Sequence, residues 1–343
     1  MSIINNKMDH HSILNALLNE LQPINFHERA GLNDGEALER KHYLIVTIEE
    51  ILKTAEEKKW SLCMSDENLY CYNGAYWKQV IKPELSSFLG RAAEKLGVDL
   101  FEARHFSFRN DLFKQFHTSA HVLRTPKKAD RVMINLQNGT YVITPEKQSL
   151  EPFNREDFLT YQLGFEYDPG AQAPMFSDYL KKVLPDTTQQ MILAEYVGHV
   201  FIKQSYLKLE KAMVLFGGGA NGKSVFFDVV NALLGGHNVS NYSLQSLTNS
   251  SGYQRAKLND VLLNYASEIS PHMDSTIFKQ LVSGEPVEAR LPYKDPIILK
   301  DYAKFIFNTN ILPKDVEQNE AFFRRFILIH FGVTIPKKRE TRS

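Results

Sequence analysis

The sequence predicts an α/β fold: a C-terminal part in which short apolar strands alternate with helices, preceded by a mixed α and β region. Three observations predict it. Beyond Lys211 the runs "KAMVLF", "DVLLNYA", "KFIFN" and "RFILIHF" are short, continuous and apolar, and helical segments separate them, as in a sheet buried on both faces. The stretch "LFGGGANGKSVFF" sets three consecutive glycines between the first of these runs and a helical segment. Upstream, Asn73-Gly74 and Asn138-Gly139 each lie between runs of strand-forming residues, which is a hairpin signal.

Composition bounds the rest. The 343 residues suffice for two domains. Forty basic residues cancel forty acidic ones, so contact with nucleic acid must come from a local patch and not from bulk basicity. Cys63 and Cys71, the two cysteines, cannot make a thiolate zinc site and are read as free thiols of a reducing cytoplasm. No stretch approaches membrane-spanning length, and Lys7, Asp9 and Glu20 break any signal-type apolar core, so a cytoplasmic protein with no membrane partner is expected.

Taken in order, residues 1–40 combine a short amphipathic helix near Ile13 to Leu21 with the polar stretch "HERAGLNDGEALER" and read as a mobile arm. Residues 41–168 form the mixed region: a helix from Tyr43 to Lys58, the hairpin "LYCYNGAYWKQV", a helix near Pro83 to Leu96, and the hairpin "RVMINLQNGTYVIT". The Phe-rich run "HFSFRNDLFKQF" is read as aromatic core at helical spacing, and His117 and His121 as packing or surface histidines without a third ligand. Pro169, Gly170 and Pro174 mark a boundary, after which residues 169–343 begin with a helix from Met175 to Val183 and another capped by Asp186.

The glycine stretch carries chemistry. Gly217-x4-Gly222-Lys223-Ser224 between a strand and a helix is the P-loop pattern, in which backbone amides of Gly217, Gly218, Gly219, Ala220, Asn221, Gly222, Lys223, Ser224 and Val225 turn toward a polyphosphate. Glycines permit close approach or positive φ, and the helix N-terminus adds partial positive charge. Lys223 would reach the β- and γ-phosphates of ATP, and Ser224 would hold Mg²⁺. "VLLNYASE" ends in Glu268, placed to orient a lytic water and help hold Mg²⁺. "KFIFNTN" ends in polar amides, of which Asn310 is preferred to Asn308 for contacting the γ-phosphate or water.

As an ordered set, "FGGGANGKS", "NYASE", "KQLVSGEPVEARLPYKDP", "FIFNTNILP" and "AFFRRFILIHF" resemble the motor of phage/plasmid-type primase-helicases, superfamily 3 of the AAA+ ATPases. "LYCYNGAYWKQV", "INLQNGTYVI" and "FEYDPGAQAPMFSDYL" are similar to the domain preceding that motor in phage, plasmid and poxvirus-type proteins. The resemblance implies an ATP-driven helicase ring, commonly a hexamer, moving on single-stranded DNA at a replication fork. It implies that Lys294 meets DNA phosphate and Tyr293 meets sugar or base at a hairpin tip bracketed by Pro292 and Pro296, with Arg290 and Lys279 as possible support. It also implies that Arg324 or Arg325 reaches a neighbouring subunit's ATP as a finger, without saying which.

Two departures qualify it. The N-terminal half shows no acidic triad of a fused primase, so any primase is expected as a separate chain, in a bacterial host or mobile-element setting. The sequence stops at "KKRETRS", so the motor reads as truncated at its C-terminus. The competing expectation is an ATP-binding replication or packaging adaptor with weak hydrolysis; a polypeptide remodeller fits the Tyr293-Lys294 tip less well.

Overall fold

Hydrophobic spacing builds the first of two compact units, which comprises residues up to 127 together with 152–162. The structure, a computed structural model, describes residues 10–33, 35–65, 68–122, 131–266, 273–292, 295–310 and 320–335. Helices α1 (His10–Glu20), α2 (Phe26–Arg29) and α3 (Arg40–Glu57) lead into an antiparallel sheet of β1 (Ser61–Ser65), β2 (Asn68–Tyr72) and β3 (Trp77–Val80), followed by α4 (Lys82–Leu96), α5 (Leu100–Arg104) and α6 (Phe106–Ser119). The helices share one core with β1 and β2, in which Ile48, Ile51, Leu89, Leu96, Phe108, Leu112 and Phe116 are almost fully buried. Pro83 opens α4, and Gly97 closes it in the left-handed region at φ +115°.

The expected arm at 1–40 is corrected here. Ile13, Leu14, Leu17, Leu18 and Leu21 on and beside α1, and Phe26 on α2, are buried in that same core. A fully buried aliphatic side chain contributes about 1.5–3 kcal/mol, enough to dock a short amphipathic helix. The polar stretch after it is also tied locally: Asn25 caps α2, and the His27 ring bonds the Glu36 carbonyl at 2.8 Å.

Both hairpins form, with turns displaced from the expected ones. β2 and β3 pair Tyr72 with Trp77 across four residues, and Asn73 Oδ1 accepts the Ala75 and Tyr76 amides at 3.0 Å, a side-chain-made turn. In the second unit, β4 (Val132–Leu136) and β5 (Gly139–Ile143) pair Leu136 with Gly139, so the turn is Gln137-Asn138 and Gly139 begins the strand. β6 (Gln148–Glu151) adds a third antiparallel strand.

The second unit comprises residues 128–151 and those from 163 on. It continues through α7 (Pro174–Val183) and α8 (Thr187–His199), whose Asp186 cap accepts the Thr188 and Gln189 amides, to β7 (Ala212–Phe216) and α9 (Lys223–Leu234). Then come β8 (Val239–Ser240), α10 (Leu244–Thr248), β9 (Leu263–Ala266), α11 (Ser275–Ser283), the hairpin of β10 (Val287–Arg290) and β11 (Pro296–Leu299), β12 (Lys304–Thr309), α12 (Glu320–Phe323) and β13 (Phe326–His330). The four apolar runs are strands, joined by the short β8, in a parallel sheet of order β13-β7-β12-β9-β8. Their buried residues include Met213, Val214, Leu215, Tyr265, Ile306 and Phe307.

That order creates a crevice. After β7 the chain leaves through α9 for the β8 edge, whereas after β12 it crosses to β13 on the far side of β7. Adjacent strands whose connections depart in opposite directions open a cleft at their C-terminal ends, the usual ligand position in open α/β sheets. Among the described residues no helix is long and apolar enough to cross a membrane.

Candidate nucleotide site

The loop from β7 to α9 lies at that crevice, and its glycines divide into two kinds. Gly217 is buried with φ +149°, and a Cβ there would lie 2.2 Å from the Phe331 carbonyl oxygen. Gly222, with φ +92°, begins α9, and a Cβ there would meet Val183 at 2.9 Å and Tyr179 at 3.2 Å. The fold itself demands these two glycines. Gly218 and Gly219 are exposed, have no positive φ, and would place a Cβ with nothing within 4 Å. Ala220 takes φ +55°, which turns the exposed loop back toward the helix.

Lys223 is the first residue of α9 and is buried at 6% exposure. Its ammonium donates to the carbonyls of Gly217 at 2.7 Å and Gly218 at 3.1 Å, to Asn221 Oδ1 at 3.1 Å, and to Asn310 Oδ1 at 3.4 Å. All four partners are neutral oxygens, and burial draws the lysine pKa below its ordinary value. A cation that meets no carboxylate among the described residues, at a helix N-terminus that adds its own partial positive charge, suits an anion. Ser224 and Val225 are exposed in the same first turn.

Asn221 is buried and turned inward. Its amide nitrogen donates to the Phe331 carbonyl at 2.9 Å, and its oxygen accepts from Lys223. The segment beyond β13 therefore straps the loop, with Phe331 N donating to the Phe216 carbonyl at 2.8 Å and Ile335 N to the Ala220 carbonyl at 2.7 Å.

The two asparagines of β12 separate cleanly. Asn308 is buried and accepts the Tyr265 hydroxyl at 3.0 Å, while Asn310, just past the strand, is exposed and meets Lys223. β9 ends at Ala266, and Glu268 lies outside the described residues. The β10–β11 hairpin pairs Arg290 with Pro296, and Arg290 is exposed, but Tyr293 and Lys294 at its tip lie outside the described residues. Lys279 is half-buried on α11.

Arg324 and Arg325 lie at the opposite end of the sheet. They precede β13, which runs parallel to β7 for about 16 Å at about 3.3 Å per residue before reaching the level of the glycine loop. Arg325 bonds Ser283 Oγ through Nε at 3.3 Å and Nη2 at 3.2 Å, and its carbonyl accepts the Ala212 amide. Arg324 is exposed, and its carbonyl accepts the Lys211 ammonium. A cleft of about 320 Å³ lined by Lys208, Leu209, Glu210, Lys211, Arg324 and Arg325 opens here.

Beside it, at the base of β12, Lys304 is buried and its pKa is pushed down to about 8 by burial. His199, whose Nδ1 has no partner among the described residues, has its pKa held down to about 4 by burial and by the charge of Lys304.

Sequence reading missed Tyr179, which sits on α7 and donates its hydroxyl to the Gly222 carbonyl at 2.8 Å. Nothing in the local pattern of α7 signals a partner 43 residues away.

Residues 40–185 match the family described as D5 N terminal like, and residues 215–325 match a family of unknown function, DUF5906. Among the curated proteins none matches the sequence. The fold is similar to solved apo structures of the NrS-1 C terminal region, with a TM-score of 0.52 at 13% identity over 84% of this chain. A further structure of the same region aligns with a TM-score of 0.52 at 14% identity. The chain spans less than two thirds of those structures, 62% and 63% of their lengths. The two matched segments follow one another along a chain whose fold is similar to that of the NrS-1 C terminal region.

Proposed function

We propose that this chain is a DNA-replication ATPase of the primase-helicase kind, whose second unit is a superfamily 3 AAA+ motor working as a ring on single-stranded DNA. The observation that carries the reading is the Lys223 ammonium, ringed by neutral oxygens at the N-terminus of α9 and at the sheet's switch point. Such a site favours a polyphosphate.

In this reading the amides of the 217–225 loop cradle the phosphates, and Gly218 and Gly219 are glycine because a nucleotide needs the space a Cβ would fill. Lys223 exchanges its loop carbonyls for phosphate oxygens. Asn310, already beside Lys223, orients the terminal phosphate or the attacking water. Ser224 and Glu268 hold Mg²⁺, which neutralises charge on the phosphates when bound. Glu268 also polarises the water. Arg324 is assigned the finger, because its side chain is exposed while Arg325 is held by Ser283. The length of β13 keeps Arg324 from its own glycine loop, so it acts on the site of a neighbouring copy in a ring, with a hexamer as the working form. Tyr293 and Lys294, supported by Arg290, track the DNA strand.

The test is Mg²⁺-dependent ATP hydrolysis measured across protein concentration, with and without single-stranded DNA. Cooperative, DNA-stimulated turnover is expected. ATP binding with negligible turnover at every concentration would instead assign the chain a nucleotide-gated adaptor role.

A further inference from the structure

We infer that Tyr179 is a positioning residue of the nucleotide site, so that the site extends upstream into α7. The inference rests on the proposed ATP-binding reading of the 217–225 loop.

One peptide group links the two elements. The Gly222 carbonyl and the Lys223 amide belong to the same planar trans peptide, so they point in opposite directions. Tyr179 donates to that carbonyl at 2.8 Å, and Phe226 N donates to it at 3.1 Å as the first helical bond of α9. Two donors on one side hold the carbonyl outward toward α7, which aims the Lys223 N–H back into the loop. There its neighbour is Asn221 Oδ1 at 3.5 Å, a separation too long for a strong bond and short enough to be exchanged for an anion's oxygen.

Packing fixes the tyrosine in turn. Its ring edge lies where a Cβ on Gly222 would fall, at 3.2 Å, beside Val183. Phe176, one turn earlier on α7, tilts against it with ring centroids 5.9 Å apart and stacks on Phe226 of α9 at 6.5 Å. α7 and the first turn of α9 are thus joined by one aromatic contact, Phe176 on Phe226, and one hydrogen bond. Burial pushes the Tyr179 hydroxyl up to about 12, which keeps it protonated and able to donate at neutral pH. α7 lies within the 40–185 match, whereas Gly222 lies within the 215–325 match, so the contact joins the two matched segments at the loop.

The experiment is calorimetric titration of the full chain with Mg²⁺-ATP, comparing wild type with three variants. Tyr179→Phe keeps the ring and removes the donor, and its ATP Kd is expected to rise about fivefold, the worth of one hydrogen bond. Tyr196→Phe removes a more deeply buried hydroxyl that donates to the Lys211 and Phe305 carbonyls, away from the loop, and its Kd is expected within about twofold of wild type. Val183→Ala loosens the packing on Gly222 while leaving the hydroxyl, and is expected to lower Tm without moving Kd. A Tyr179→Phe chain that binds like wild type, that weakens no more than Tyr196→Phe, or that fails to fold overturns the inference. A wild-type chain that does not bind ATP overturns the underlying reading instead.

Discussion

The two ends of the five-stranded sheet are built from the same strands and do opposite things. At the C-terminal ends of β7 and β12, charge is supplied mostly by the backbone: a glycine loop, a helix N-terminus and one lysine among neutral oxygens. At the N-terminal ends, charge is supplied by side chains, with Lys211 at the start of β7, Arg324 and Arg325 before β13, and Lys304 opening β12. A parallel sheet forces this division, because all its strands point the same way and its two ends cannot be exchanged. In the proposed reading, a subunit with an anion-binding loop at one end and an exposed Arg324 at the other has the parts of a site shared between copies.

The largest expected effect falls on the cradle. Lys223→Ala removes the loop's buried cation, and hydrolysis is expected to fall on the order of a thousandfold, with weakened ATP binding in the same titration. At the other end, Arg324→Ala is expected to lower kcat on the order of a thousandfold while leaving ATP affinity unchanged, since a finger stabilises only developing charge. Arg325→Ala should instead lower Tm, because it releases Ser283 and the start of β13. Equal kinetic effects of the two arginine variants would break the comparison.

Smaller effects sharpen it. Asn310→Ala is expected to lower kcat about ten- to a hundredfold at unchanged stability, within the range of a positioned polar group. Asn308→Ala leaves the buried Tyr265 hydroxyl unpaired and should cost about 1–3 kcal/mol in a denaturant titration. Among the glycines, Gly217→Ala drives a methyl into the Phe331 carbonyl and should destabilise by about 1–3 kcal/mol or more. Gly218→Ala should leave stability within about 0.5 kcal/mol and weaken ATP binding.

The smallest effect is a pH dependence at the base. Lys304 has a folded pKa of about 8, below the lysine value near 10.4, so the unfolded chain holds that proton more tightly. Stability therefore rises with pH between about 8 and 10. His199, held at about 4, adds a second rise between about pH 4 and 6.5 by the same sign. Lys304→Met should be more stable than wild type at pH 7 and should lose the upper rise in a thermal melt series.

What was legible in the sequence was what local constraint writes there. The Gly217-x4-Gly222 spacing reports φ and close-approach demands within six residues, and continuous apolar runs report strands buried on both faces. Asp186 and Pro83 announce helix starts because the orphan amides of a first turn are satisfied locally. What was not legible depends on partners far along the chain. α1 reads as an arm until the core it enters is built from α3, α4 and α6. Arg324 and Arg325 are identical neighbours, and Ser283, 42 residues before Arg325, is a partner that distinguishes them. β8 is two residues long and has no periodicity to read, yet it closes one edge of the sheet. The division between Asn308 and Asn310 lies in between: a residue inside a buried strand faces a core partner, and one just past its end faces the crevice.

In the proposed ring, the cradle of one copy works with the cations at the base of the next. Its most direct test is to mix two inactive proteins, Lys223→Ala and Arg324→Ala, in varying ratio and measure Mg²⁺-dependent ATP hydrolysis. A ring predicts partial recovery in the mixture, because an intact cradle on an Arg324→Ala subunit meets an intact arginine from a Lys223→Ala neighbour. Activity that stays at the level of the separate variants at every ratio, while the wild type hydrolyses ATP, would contradict it.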